Sequence, residues 1–137
     1  MTKILRLFFC LAVPLVLATA ASAQAGALVV KVPFDFYVDN TPMTSGTYVV
    51  RLTDNRQILQ LNGQDTHKGV FSMSNPASSP AAPNKNALVF TRYGNQYFLS
   101  EVHWAEGRIA RQLLKREAEI EIAKRFTGTQ ITATSSK

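Results

Sequence analysis

Residues 29–38 read VVKVPFDFYV, a run in which every second side chain is apolar. Because successive side chains of a β-strand point to opposite sides of a sheet, this period of two predicts a strand with one buried face. Pro33 has no amide hydrogen to donate, so we expect it at a sheet edge or at a bulge. The buried face of this predicted strand carries Val30, Val32, Phe34, Phe36 and Val38.

A second alternating strand follows and predicts a hairpin with the first. Turn-forming residues occupy positions 39–42 and Ser45-Gly46. Tyr48, Val50 and Leu52 then recur at every second position. We therefore expect the two strands to pair across an irregular loop.

Two shorter strands are predicted over residues 58–61 and 68–74, the second with Phe71 and Met73 on one face. Asn62-Gly63, between them, is a strong signal for a tight turn. Residues 75–86 contain three prolines and no large apolar side chain, which is typical of an exposed loop. We interpret this loop as a solvated connector, with a recognition loop as the alternative.

A second hairpin is predicted over residues 87–93 and 96–104, around Gly94-Asn95. A two-residue turn places Phe90 opposite Leu99 and Arg92 opposite Tyr97. Both faces carry bulky apolar groups, which predicts central strands covered on one side by the curled sheet and on the other by a helix. One face carries Leu88, Phe90, Tyr97 and Leu99, and the other carries Val89, Phe98 and Val102.

The last third of the chain changes period. Its apolar residues recur every four positions, which predicts an amphipathic helix over about residues 108–126. Gly128 is a plausible stop signal, and residues 129–137 are expected to form a polar disordered tail. A strand through Ile120 and Ile122 is the alternative interpretation. The predicted helical stripe consists of Ala110, Leu114, Ala118, Ile122 and Phe126.

The amino-terminal residues 1–23 predict a signal peptide. Lys3 and Arg6 precede an apolar run, and the small residues at 21–23 allow cleavage before Gln24. The run is shorter than the roughly 20 apolar residues that a membrane anchor needs. Cys10, the single cysteine, lies in this leader, so the domain predicted over residues 24–128 must fold without a disulfide. We expect the protein in the periplasm or outside the cell, with no stable membrane anchor after cleavage.

The net charge of +6 comes mostly from the second half of the chain, where nine basic residues face five acidic ones from Lys85 onward. Such a half could attract anionic glycans, lipid head groups or nucleic acid. An ordinary solvated helix face explains an excess of this size equally well. Because the protein is expected to be exported, we predict no nucleic-acid partner.

The chain offers few groups for catalysis or for metal binding. His67 and His103 are the two histidines and lie in separate predicted elements, which argues against a zinc site. Asp35 and Glu101 are the one carboxylate pair worth considering for glycoside hydrolysis, but Asp35 lies on a polar strand face where a solvated carboxylate is the default. Ser78 lacks the glycine-flanked turn of a nucleophile. We predict no catalytic, cofactor-binding or metal-binding residue, no cofactor, and a protein that is not an enzyme.

Three segments of the chain resemble a family of small exported proteins that is abundant in acidobacterial-type genomes and is generally described as uncharacterised. They read VPFDF at 32–36, SGTY at 45–48 and LVFTRYGNQYFLSEV at 88–102. The resemblance covers about residues 29–124. Where members commonly show LPAG before the tyrosine of the second strand, this chain has MTSG at 43–46. The resemblance implies a compact, exported, strand-rich domain and brings no activity or site residue with it.

Together these patterns predict a mainly β fold, a curled antiparallel sheet or partial barrel of about six strands with one C-terminal helix. The predicted function is that of a non-enzymatic envelope or secreted interaction module, whose partner is an envelope protein or a glycan. The alternative is a binder of a small apolar ligand within the curled sheet.

Overall fold

The computed structural model describes residues 26–78 and 84–135. The predicted signal peptide, with Cys10, lies outside these residues. The described residues contain one α-helix, α1 (Glu117–Ala123), and a short 3-10 turn (Glu106–Arg108). Their ten strands are β1 Leu28–Val32, β2 Phe36–Val38, β3 Thr41–Met43, β4 Gly46–Leu52, β5 Ile58–Gly63, β6 Gly69–Pro76, β7 Ala87–Tyr93, β8 Gln96–Trp104, β9 Ile109–Leu113 and β10 Thr129–Thr134.

The strands form one curled sheet in which β1, β4, β5, β6, β9 and β8 follow one another. One edge of β8 pairs with β7, and β7 pairs in turn with β10. Two strands, β9 and β2, share the other edge of β8, and β3 pairs with β2. β1 and β10 approach each other, but no ladder joins these two described strands, so the sheet remains open. The predicted β-rich curled fold with one helix is confirmed. The sheet has ten strands rather than six, and it is mixed, because β2 and β8 run parallel at Tyr37 and Phe98.

The predicted strand over 29–38 is divided at Pro33 into β1 and β2. β1 pairs with β4 as the predicted hairpin requires, with Val30 opposite Tyr48. Because Pro33 cannot donate to a ladder, the chain leaves β4 there and β2 crosses to β8. Phe34, in the link, is half-buried and stacks on Tyr97 with ring centroids 4.0 Å apart. The predicted alternation of buried and exposed side chains is therefore observed, although it is divided between β1 and β2.

Aromatic and aliphatic side chains fill the interior of the curled sheet. Phe36 packs edge-to-face on Tyr48 and on Phe90, with ring centroids 5.1 Å apart in both pairs. Trp104 is buried as well, and its indole nitrogen donates to the carbonyl oxygen of Gly26 over 3.0 Å. Each such aromatic side chain contributes a large apolar area, so these rings supply much of the stabilising free energy.

The β7–β8 hairpin has the predicted register at its turn, with Phe90 opposite Leu99. A β-bulge then makes Ser100 an extra residue on β8, and its hydroxyl donates to the carbonyl oxygen of Val89 over 2.9 Å. One extra residue reverses the facing of everything that follows. Val102, predicted on the face of Val89, consequently points into the interior instead.

The tight turn predicted at Asn62-Gly63 is wrong, because both residues belong to β5 and the turn follows at residues 64–66. Gly63 is required for close packing rather than for a turn. A Cβ atom added there would lie 3.2 Å from the Tyr48 ring and would clash with the Thr66 hydroxyl oxygen. The Asn-Gly pair thus reflects tertiary contact with β4.

The C-terminal third differs most from prediction. The helix expected over about 108–126 is confined to α1, and residues 109–113 form a strand whose Leu113 is buried. The polar segment expected as a disordered tail contains β10, which runs antiparallel to β7 with Ile131 opposite Phe90. The alternative strand through Ile120 and Ile122 is also wrong, since both residues are helical. The predicted helix fails at its start because Ala110 lies in β9, whose pairing with β6 and β8 decides its conformation. β10 carries few apolar residues, and its conformation is likewise decided by pairing with β7.

Candidate functional site

The outer face of the sheet, opposite the interior, carries a polar depression of about 440 Å³ over β10, β7, β8 and β9. We call it the polar groove. The strand register aligns its residues in rows across the sheet: Thr132, Val89, Glu101 and Gln112 face one another in one row. His103 lies in the next row, between Ala87 and Ala110. The groove is lined by Ser78, Val89, Glu101, His103, Gln112, Gln130 and Thr132.

Alanines flank His103 on both neighbouring strands, with Ala87 on β7 and Ala110 on β9. Val89 supplies an apolar floor and is only 6% exposed. The groove therefore combines an apolar floor with hydrogen-bonding walls.

An imidazole–carboxylate pair lines the polar groove. Nε2 of His103 lies 2.7 Å from Oε2 of Glu101, and both side chains are about four-fifths buried, with 20% and 19% of their surfaces exposed. The two residues are two positions apart on β8, so they share the outer face. A carboxylate oxygen accepts more than one hydrogen bond, so Glu101 can receive a ligand hydroxyl while it holds His103.

A second depression, of about 530 Å³, lies between the C-terminal end of α1 and the strands β7 and β10. We call it the helix-side groove. Gln130 lines both grooves, and Thr91, its cross-strand partner, lines the helix-side groove, so the two depressions adjoin. Phe126, which follows α1, is 50% exposed and also lines it. Gly128 lets the chain pass close to β7, because a Cβ atom there would lie 2.7 Å from a Thr91 methyl carbon.

A buried acidic residue attaches α1 to the sheet beside the helix-side groove. Glu119 is 5% exposed and accepts a hydrogen bond of 3.2 Å from the Tyr93 hydroxyl, to which Lys115 Nζ donates over 3.3 Å. Burial raises the pKa of Glu119, the Lys115 ammonium and the Tyr93 hydrogen bond oppose that rise, and the carboxylate of Asp39 adds to it. The helix was predicted to pack through an apolar stripe. Its buried residue is instead this carboxyl group.

Arg111 is one of the basic residues that follow Lys85, and the structure places it inside the sheet on β9 rather than on a solvated helix face. It is 8% exposed, and its Nε and Nη2 donate to Oγ and the carbonyl oxygen of Ser74 over 3.1 and 2.6 Å. Desolvation lowers its pKa from the usual range. These hydrogen bonds join β9 to β6, so Arg111 is part of the fold.

A third surface is apolar and lies on the outer face of β5 and β6. Phe71 and Met73 are 63% and 54% exposed, and Met73 lies directly opposite Ile58 on β5. Arg51, an exposed residue of β4, adjoins this surface because it faces Gln60, the cross-strand partner of Phe71. We call it the apolar face.

The structure keeps apart the residues considered for catalysis. Asp35 accepts a hydrogen bond of 2.8 Å from the Ser45 amide and lines a separate depression beside Tyr97, whereas Glu101 pairs with His103. Within residues 26–78 and 84–135, no three His, Cys, Asp or Glu side chains form a group that could hold a metal ion. Sequence reasoning missed the polar groove, because its rows join residues from four strands, of which only β7 and β8 had been predicted to pair.

Comparison with known proteins yields no match, whether against protein-family models, curated protein sequences or solved structures. In the part of the chain that the structure describes, no helix has the length and apolar character needed to cross a membrane.

Proposed function

We propose that this protein is an exported, non-catalytic interaction module that binds an envelope protein through the apolar face. The observation that carries the proposal is the exposure of Phe71 and Met73 on one side of β6. Soluble domains bury large apolar side chains where they can, and adjoining exposed ones are typical of contact surfaces. Export is supported by the signal-peptide pattern of residues 1–23. The site of action would be the periplasm or the medium.

The arrangement of β6 favours a surface role for these two residues. The opposite side of the strand faces inward and carries Ser72 and Ser74, both buried and both hydrogen-bonded. β6 therefore directs its large apolar side chains outward and its hydroxyls inward, the reverse of what isolated folding stability requires. A partner that covers Phe71 and Met73 would remove this unfavourable exposure.

The alternative, a small apolar ligand held inside the curled sheet, finds less support. Phe36, Tyr48, Phe90 and Trp104 occupy the interior and are each at most 2% exposed. An apolar molecule that co-purifies with the protein in native mass spectrometry would favour this alternative.

Site-specific photo-crosslinking in cells of the native host tests the proposal. A benzophenone amino acid replaces Phe71 in the full chain, and in a matched control it replaces Ile120, which is similarly large and 45% exposed but lies on α1. We expect a discrete cross-linked partner from position 71 and none from position 120. Equal products from both positions, or none from position 71, would contradict the proposal. Met73→Ser should weaken the position-71 product, because it removes the neighbouring apolar contact.

A further inference from the structure

The polar groove and the helix-side groove together form a continuous surface suited to an extended ligand. Gln130 lines both, and the depressions of about 440 and 530 Å³ are each in the size range of small-molecule sites. A ligand longer than one depression would pass over Gln130. The site is therefore shaped for a chain rather than for a single compact molecule.

The walls of the polar groove present side-chain hydrogen-bonding groups in both senses. Gln112 and Gln130 each offer an amide that donates and accepts, Thr132 offers a hydroxyl, and Glu101 offers carboxylate oxygens. The backbone of β7, β8 and β9 is already paired with neighbouring strands, so an added peptide strand cannot bind to this floor through the main chain. A ligand in the polar groove must therefore bind to side chains, which suits a molecule rich in hydroxyl groups.

The floor and the far end of the surface suit the apolar faces of sugar rings. Val89 forms an apolar floor between the polar walls. In the helix-side groove, Phe126 is half exposed, with its ring packed beside Gly94. An aromatic ring held in this way can pack against the C–H face of a pyranose, while the equatorial hydroxyls reach the amides and the carboxylate.

Charge favours a neutral ligand over an acidic one in the polar groove. Glu101, its acidic residue, already faces the ring of His103 at 2.7 Å. The amides and hydroxyls beside this pair carry no charge, and an anionic group would be repelled by the carboxylate. Three basic residues line the helix-side groove: Lys124 pairs with Glu121 at 2.6 Å, Lys115 donates to the Tyr93 hydroxyl over 3.3 Å, and Arg125 is the third.

We propose that the polar groove and the helix-side groove bind a linear neutral oligosaccharide, with its hydroxyls on Glu101, Gln112 and Gln130 and one ring against Phe126. This site is separate from the apolar face, because the two surfaces lie on different strands. The inference goes beyond the protein contact proposed above and does not depend on it.

Amide NMR titration of the processed protein tests the inference, with maltohexaose, cellohexaose and chitohexaose as neutral probes and hexagalacturonate as an acidic one. We expect at least one neutral hexasaccharide to shift the amide signals of Glu101 and Gln130, with hexagalacturonate weaker. Glu101→Gln should raise the Kd about tenfold, because the acceptor loses its charge and one of its two oxygens. Gln130→Ala should weaken binding by a similar factor, since Gln130 borders both grooves.

Gln60→Ala is the matched control for Gln130→Ala, because Gln60 is the same residue type and lies on the outer face of β5, away from both grooves. It should leave the Kd unchanged, as should Phe71→Ser. The inference is overturned if no neutral hexasaccharide shifts these signals at about 1 mM, the concentration at which even weak complexes form. Tighter binding of hexagalacturonate, or equal effects of Gln60→Ala and Gln130→Ala, would overturn it too. Met73→Ser should weaken the envelope cross-link from position 71 without changing saccharide binding, so failure of either proposal leaves the other standing.

Discussion

Replacing Phe90 by alanine should be among the most destabilising single changes in this domain, whereas the same change at Phe71 should be nearly silent. Phe90 is fully buried, and its ring packs edge-to-face on Phe34 and Phe36 with centroids 5.0 and 5.1 Å away. Phe71 is 63% exposed on the opposite face of the sheet. The pair therefore compares one side chain in two environments.

The expected loss follows from the area that Phe90 buries. Truncation to alanine removes about 150 Å² of buried apolar surface, which at about 25 cal/mol per Å² is close to 4 kcal/mol. Measured Phe-to-Ala costs of about 3–5 kcal/mol in protein cores agree with this figure. Phe71→Ala should change the free energy of unfolding by less than about 0.5 kcal/mol.

Urea unfolding followed by the fluorescence of Trp104, the single tryptophan, measures both variants. With an m-value of about 2 kcal/mol per M, the midpoint should fall by about 2 M for Phe90→Ala and should hardly move for Phe71→Ala. Should Phe90→Ala fail to fold, Phe90→Leu keeps most of the volume and should cost about 1.5 kcal/mol. Equal decreases in the free energy of unfolding at positions 90 and 71 would refute the assignment of Phe90 to the buried face and of Phe71 to the exposed face, on which the apolar face depends.

Three further outcomes follow from particular contacts. The stability of Glu119→Gln relative to wild type should increase as pH rises above about 4.5. The pKa of Glu119 is raised in the folded protein, so its carboxyl group ionises first in the unfolded chain, and the wild-type fold loses stability as pH rises through this range. Urea midpoints between about pH 3.5 and 7 measure the difference between the two proteins, and a difference that is constant with pH would contradict the prediction. Trp104→Phe should cost about 1–3 kcal/mol, measured by circular dichroism, because the carbonyl oxygen of Gly26 loses its indole donor. Truncation after Gly128 should lower the free energy of unfolding by about 2 kcal/mol or more, because β10 and the packing of Ile131 and Ala133 are lost; a change under about 0.5 kcal/mol would indicate a dispensable tail.

Strands whose own pattern is strong could be predicted from the sequence. The alternation around Phe36 and around Tyr48 needed no distant information, because one buried and one exposed face is a local signature. The Gly94-Asn95 turn likewise fixed the pairing of Phe90 with Leu99. The side of the sheet on which Val102 lies could not be predicted beyond the bulge, because no local signal marks Ser100 as the extra residue.

Neither of the two proposed binding surfaces could be identified from the sequence. The sequence predicted that Phe71 and Met73 lie on one side of a strand. It did not predict whether that side faces the interior or the solvent, so the apolar face could not be recognised. The polar groove was invisible, because Gln130 and Thr132 belong to a segment expected to be disordered, and Glu101 and His103 gain their setting only when β9 and β10 flank β7 and β8.

The sequence by itself determined the class of fold, the main buried aromatic residues and the expectation of an exported chain. Alternation, turn residues and the pattern of a signal peptide each depend only on residues that are neighbours in the chain. Only the tertiary structure decided that residues 109–113 and 129–134 are strands and that Glu119 and Arg111 are buried. These segments carry weak local preferences, and their conformation is set by hydrogen bonds and packing supplied by strands distant in the chain.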